Sequence, residues 1–306
     1  LTFWYNPLIN KTLVSEYLSD KPYISIQDLL PKAQLWITQQ HSVFDFNPPT
    51  TPNVKHVGIL RSFTPEPLSP EFKTFMDGAS DGVVIVSFGS VLKGVPSQVV
   101  DKLLRAFKHT KYNYIVQVSS QQRTSDKFMF KPWIPQFDLL SHEKAKLFIT
   151  HCGFSSVQEA VLAGVPIIGF PIYADQPQTA AKLVSKGFGL QMDLRSFTVE
   201  ELVNTIGKIT TNSSYKTKVE KASAILKSGI VPPIEEAAFW INHILEFGGD
   251  HLRSYSQDAP LWKFLCLDII AFYLLLLHAI VYLFFKLLRL FTSYFLIASM
   301  KKHKKE

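Results

Sequence analysis

The chain has 306 residues, 47% of them hydrophobic, and a net charge of +7 from 32 Lys and Arg against 25 Asp and Glu. That length supports a large domain with a full core plus appendages. The charge resembles a nucleic-acid signature until it is located: residues 286–306 carry Lys286, Arg289, Lys301, Lys302, Lys304 and Lys305 against Glu306, a local +5 that leaves +2 for everything else. A nearly neutral globular part excludes nucleic acid as a partner, and two cysteines, Cys152 in a polar turn and Cys266 in an apolar run, exclude a disulfide framework.

Residues 1–60 are aromatic-rich, lack any strand–helix alternation and close on FNPPTTPNVKHVG, a Pro-rich extended stretch. They read as the end of another domain and its linker. From Gly82 strands and helices alternate. VVIVSFGS (Val83–Ser90) is a buried strand, Pro96–Thr110 has helical spacing, and NYIVQVSS (Asn113–Ser120) is a second strand. KLFIT, PIIGFP and GLQMD supply further strands, with helices expected at Ser155–Ala163, Gln176–Lys186, Thr198–Thr210 and Ser214–Lys227. This pattern over 61–230 predicts an α/β fold with a doubly wound, mainly parallel sheet. Ligands of such sheets bind outside the carboxyl ends of the strands.

Within residues 231–257, the amphipathic stretch Val231–Phe247 is expected to pack back on the globular body through Phe239 and Trp240. FLCLDIIAFYLLLLHAIVYLFF, residues 264–285, then has the length of a single transmembrane helix, about 1.5 Å per residue across a core of roughly 30 Å. Asp268 near one end and His278 inside interrupt it, and a buried soluble helix is the alternative. Lysines after the span place the 286–306 tail in the cytosol and the globular part across the membrane. The sequence does not begin with Met and shows no signal peptide; a lumenal domain needs one, so the chain is expected to lack its beginning. Lysines at the third and fifth positions from the end resemble a dilysine retrieval signal of the endoplasmic reticulum, and plain orientation by charge is the alternative. The sequons Asn10-Lys11-Thr12 and Asn212-Ser213-Ser214 are then expected to be lumenal.

Polar residues gather at the strand ends. KLFITHCGFSSVQE carries a strand straight into His151-Cys152-Gly153 and a helix, offering free backbone N–H groups suited to an anion. An ordinary βα loop with a local His is the alternative. KPWIPQFDLLSH supplies Trp133 and Gln136, YADQP supplies Asp175 and Gln176, and SFGS supplies Gly89 and Ser90.

Together, WIPQFDLL, THCGFSSVQE, GVP and ADQ at these spacings resemble the UDP-glycosyltransferase signature, and the likeness to the C-terminal half of animal UDP-glucuronosyltransferases covers essentially the whole chain. The resemblance implies the C-terminal nucleotide-sugar domain of a GT-B glycosyltransferase. It also implies a UDP-sugar donor, favouring glucuronic acid, and small lipophilic acceptors in an inverting transfer that needs no metal or other cofactor. Trp133 would stack on uracil, Gln136 would bond the ribose or base edge, and His151, Gly153, Ser155 and Ser90 would hold the diphosphate. Glu159 would accept from the ribose hydroxyls, and Asp175 and Gln176 would grip the transferred sugar. Asp175 also suits an N-cap.

Many animal members have Gly where Cys152 stands and Asn where Ser155 stands, and the shorter Ser155 is expected to weaken the phosphate contact. The family's catalytic His and Asp lie in its N-terminal domain, so the resemblance implies no catalytic residue in this chain. Three readings follow: a membrane-bound enzyme half, a UDP-sugar-binding but catalytically incomplete fragment, or a partner subunit of homo- or hetero-oligomers.

Overall fold

The computed structural model describes residues 16, 29–46, 49–89, 97–118, 124–257 and 259–303, without the side chains of Ser97, Gln257 and 295–303. Ser90, the Asn10 sequon, Lys304, Lys305 and Glu306 lie outside the described residues, as do Pro96 and Ser119-Ser120 from the expected helix and strand. The chain divides into two units, one of Leu35–Thr50 with Val54–Gly248, the other of Leu1–Gln34, Thr51–Asn53 and Gly249–Glu306.

In the first unit a two-stranded parallel sheet pairs β1 (Trp36–Thr38) with β2 (Val54–His56). Six parallel strands follow: β3 (Val83–Ser87), β4 (Asn113–Gln117), β5 (Phe128–Lys131), β6 (Ala145–Thr150), β7 (Ile167–Gly169) and β8 (Gly189–Gln191), ordered β5-β4-β3-β6-β7-β8. The chain works outward on one side of β3, returns to lay β6 on its other side, and works outward again. That is the doubly wound order with its reversal between β3 and β6.

Residue alternation explains why both faces are covered. Val83, Ile85, Ile115 and Phe148 point to one face, where they meet helices α1 (Pro70–Asp77), α3 (Gln136–Leu140), α4 (Phe154–Leu162), α5 (Gln176–Lys186) and α7 (Ser213–Lys227). Val84, Val86, Tyr114, Leu147 and Ile149 point to the other, against α2 (Ser97–Lys108) and α6 (Val199–Thr211). Central strands buried on both sides must be apolar at every position, which is why VVIVS and LFIT carry no period-2 polarity. α6 begins at a capping box, Thr198 Oγ1 receiving the Glu201 N–H at 3.1 Å while Glu201 receives the Thr198 N–H at 2.8 Å.

Several expectations are corrected. Helix α8 (Pro233–Phe247) packs by Ala237 and Trp240, whose ring lies 3.7 Å from Lys55 Nζ, whereas Phe239 is 57% exposed. Hydrophobic spacing alone does not say which arc of a helix is covered. The edge strand β5 and the helices α1 and α3 carry no signal long enough to be read beforehand.

In the second unit a short helix α9 (Leu261–Phe264) ends at Leu265, Cys266 takes a left-handed φ of 52°, and α10 runs from Leu267 to His303. Its Leu267–Tyr294 stretch is long and apolar enough to cross a membrane. The break at Cys266 moves the helix start from the expected 264 to 267. The run Leu287, Leu288, Leu290, Phe291 carries the apolar helix past 285 into what the sequence marks as tail.

Phe148 is fully buried at the centre of the large sheet, paired with Ile85 on one side and Ile167 on the other. Phe148→Ala is expected to cost about 3–5 kcal/mol of stability. The check is chemical denaturation followed by near-ultraviolet circular dichroism; a loss below about 1 kcal/mol would show that this position is not in the load of the core.

Candidate functional site

The carboxyl ends of β3 and β6 lie side by side at the reversal of strand order, where doubly wound sheets open a crevice. β3 leaves through Phe88 into Gly89, and β6 leaves through His151-Cys152-Gly153 into α4. The His151 ring is lodged between the two glycines. A Cβ on Gly89 would come within 3.1 Å of its Cε1, and one on Gly153 within 2.7 Å of its Nε2. Gly89 also has φ +58°, a conformation that favours glycine, so both space and backbone dictate it. Gly153 is dictated by space alone.

Between them, Cys152 takes φ +65° and is fully buried, with its Sγ in the notch left by Gly169 of β7. Burial pushes its thiol up to about 12, so it packs as a neutral group. The left-handed backbone accounts for the glycine that the resemblance places here.

His151 is 9% exposed. Burial pulls its pKa below the ordinary 6.5, and neither the nearby Asp175 carboxylate nor a hydrogen bond with the Ser87 backbone reverses this. A neutral imidazole at pH 7 has one N–H, which the hydrogen bond with the Ser87 backbone engages. Beside it, α4 starts at Gly153 with no side-chain cap and no acidic residue in its first turn, while Ser155 is exposed there. Its first N–H groups therefore face the crevice with no carboxylate competing for them.

One turn along α4, Glu159 is held from two sides. Its Oε1 is paired with the Arg61 guanidinium, and its Oε2 accepts from Gln136 Nε2 at 2.7 Å. Gln136 Nε2 also lies 3.3 Å from Ser156 Oγ. The structure thus joins Gln136, expected at the ribose or base edge, to Glu159, expected at the ribose, and adds Arg61, which carries no signal in the sequence. Arg61 stands alone in GILRSFTP, and only the folded chain brings it to a residue 98 positions away.

Trp133 is 69% exposed on the loop after β5, which rules out a core role for its ring. That loop is tied to the sheet by a relay unseen in the sequence: Ser87 Oγ donates to Gln117 Oε1 at 2.6 Å, and Gln117 Nε2 donates to the Pro132 carbonyl at 3.4 Å. Asp175 occupies the N-cap position of α5 but its carboxylate caps nothing; its backbone carbonyl accepts from Thr179 N at 2.9 Å and from Thr179 Oγ1 at 3.1 Å. The expected cap is absent because Asp175 has helical φ and ψ, which aim the side chain away from the first turn. Gln176 is buried, its Oε1 receiving the N–H groups of Ile172 at 2.8 Å and Tyr173 at 3.1 Å. It shapes the loop that carries the exposed Asp175.

Among the described residues no group of three or more His, Cys, Asp and Glu is placed to hold a metal ion. A cavity of about 710 Å³ lies elsewhere, between α2 and β5, lined by Leu104, Arg105, Phe128 and Phe130. It contains none of the residues the motifs single out.

Residues 1–304 match the family described as UDP-glucoronosyl and UDP-glucosyl transferase. UDP-glucuronosyltransferase 3A1 of Bos taurus is 32% identical over 285 residues, which cover 90% of this chain and 54% of that protein. UDP-glucuronosyltransferase 1A1 of Homo sapiens is 30% identical over 281 residues, covering 90% and 52%. The chain spans about half the length of the curated relatives it matches. Among solved structures, Medicago truncatula UGT71G1 complexed with UDP-glucose superposes with a TM-score of 0.54 at 24% identity, over 62% of this chain and 48% of that one. The glycotransferase of kitacinnamycin gives 0.58 at 17% identity, over 77% and 60%. These likenesses establish the GT-B type of fold.

The buried imidazole gives the fold a pH dependence of known sign. His151 binds its proton more readily unfolded than folded, so its effect on stability is absent above about pH 6.5 and grows as pH falls from there to its lower folded pKa. His41, also lowered by burial, acts in the same sense. His151→Gln should therefore flatten part of the fall in thermal midpoint between about pH 7 and about pH 5. An unchanged slope would mean that the ring is solvated in the folded chain.

Proposed function

We propose, from the fact that the chain belongs to the UDP-glucuronosyl and UDP-glucosyl transferase family, that it is the donor-binding half of a membrane-anchored UDP-glycosyltransferase acting on small lipophilic acceptors. The observation that carries this reading is the pairing of His151 with the uncapped N-terminus of α4 at the reversal of strand order, with Glu159 one turn deeper. Glucuronic acid is the favoured sugar, supported by the names of the curated relatives.

In this reading uracil stacks on the exposed face of Trp133. Glu159 and Gln136 take the ribose, and Asp175 takes hydroxyls of the transferred sugar, with Gln176 fixing its loop. The diphosphate lies on the N–H groups of Gly153 to Ser155, with Ser155 Oγ and Ser90 as further donors and His151 packed beside them.

The acceptor oxygen attacks the anomeric carbon from the face opposite UDP, the bond from that carbon to the β-phosphate oxygen breaks, and configuration inverts. Charge developing on the leaving diphosphate meets the N–H groups of the helix N-terminus, dipoles already oriented before the reaction, with His151 packed beside them, and no metal is required. The proton lost by the acceptor goes to a base outside this chain, and no residue here is assigned that role.

The apolar helix anchors the chain in the endoplasmic-reticulum membrane with the globular part lumenal and the Lys-rich end cytosolic. Asn212, exposed at the junction of α6 and α7, is then open to glycosylation. The match to only half of each curated relative favours a second reading, in which this chain holds UDP-sugar, alone or as a partner subunit, without transferring it.

Calorimetry on the detergent-solubilised chain should show UDP binding in the presence of a chelator, and Trp133→Ala should weaken it by about 1–3 kcal/mol. No binding by the folded chain would overturn the donor reading. A strict requirement for a divalent ion would overturn only its metal-free form, and undiminished affinity in Trp133→Ala would move the base off that ring.

A further inference from the structure

Glu159 carries a requirement that the donor reading does not by itself meet. A carboxylate placed beside a nucleoside diphosphate adds one more negative charge to a site that must hold an anion. It must also be aimed, since two vicinal hydroxyls can be received only by oxygens whose lone pairs point at them. A free Glu side chain at a crevice meets neither requirement, because its rotamers are mobile and hydrated.

Arg61 meets both. Its guanidinium pairs with Glu159 Oε1, its Cζ lies 4.0 Å from the centroid of the Phe137 ring, and its Nε donates to the Ser62 carbonyl at 3.3 Å. Three contacts on one planar fork fix its orientation, and a lysine has neither the planarity nor the donor geometry to reproduce them. The side chains of Arg61 and Glu159 are 30% and 20% exposed, so the pair is shielded from water far more than a surface ion pair. From the other side Gln136 Nε2 donates to Oε2. One donor on each oxygen still leaves each with a lone pair for a ligand hydroxyl. Phe137 follows Gln136 in α3, so one short helix supplies both the amide on Glu159 and the ring beneath its cation.

We infer that Arg61 is the positioning residue for the donor ribose: it acts through Glu159, offsetting its charge and fixing the direction of its carboxylate, without touching the nucleotide. This rests on the donor reading above. It assigns the choice between ribose and 2′-deoxyribose to a residue outside the motifs that carry the family likeness.

The test is calorimetry of the full chain in detergent with two probes, UDP and 2′-deoxy-UDP. The wild type should prefer UDP by about tenfold, the size of one charge-assisted hydrogen bond. Arg61→Ala should lose most of that preference: both affinities fall by the common cost of an uncompensated carboxylate beside the diphosphate, and the UDP affinity falls about tenfold further. Arg61→Gln, which keeps an amide donor but removes the charge and the fork, should lose the preference in the same way and stands in if the alanine variant does not fold. An equal loss for both probes would overturn the inference, since it means that the guanidinium holds the diphosphate or merely supports the fold. Unchanged binding of both would overturn it too. Absence of UDP binding in the wild type would sink the donor reading and this inference together, whereas UDP binding with an unaltered preference in the variants sinks the inference alone.

Discussion

The arrangement depends on how closely two backbones approach one imidazole. The reversal of strand order brings the ends of β3 and β6 together, and the His151 ring fills the space between Gly89 and Gly153 so tightly that a carbon added to Gly153 would strike it and one added to Gly89 would press on it. Everything else in the crevice is referenced to that contact. The ring's burial keeps it neutral, Cys152 turns the chain beneath it by accepting a left-handed φ, and α4 starts at the glycine the ring touches. Displacing the ring would therefore disturb the helix terminus as well as its hydrogen bond with the Ser87 backbone.

Electrostatically the β6–α4 turn is governed by dipoles more than by charges. An uncapped helix end and the exposed Ser155 hydroxyl offer donors beside a neutral His, and the one carboxylate deeper in α4 is matched by Arg61. Dipoles fixed by the fold need no rearrangement when charge appears. The exposed Asp175 is carried on a loop shaped by the buried Gln176, and its proximity limits how far the imidazole pKa falls.

Much of this was legible in the sequence, for identifiable reasons. Central strands buried on both faces read as unbroken apolar runs, and α5 begins and ends where Gln176 and Lys186 mark it. Helix α6, Val199–Thr211, lies within a residue of the expected Thr198–Thr210. His151, Gly153, Ser155 and Glu159 stand close together in the sequence, so their shared turn and helix show there. What was hidden depends on distant contacts. Neither Arg61 with Glu159 nor Ser87 with Gln117 has a local pattern, because their partners are 98 and 30 positions apart. Four residues of β5 are too few for a period to show, and the exposure of Phe239 depends on what covers α8, not on the helix itself.

The central claim, that the nucleotide is held at the β6–α4 turn, is tested most directly by amide hydrogen exchange with and without UDP. The account expects slowed exchange at Gly153 to Ser156 and in the loop carrying Trp133, with no change along α6. Protection centred instead on the α2–β5 cavity, at Arg105 and Phe130, with the β6–α4 turn unaffected, would contradict it.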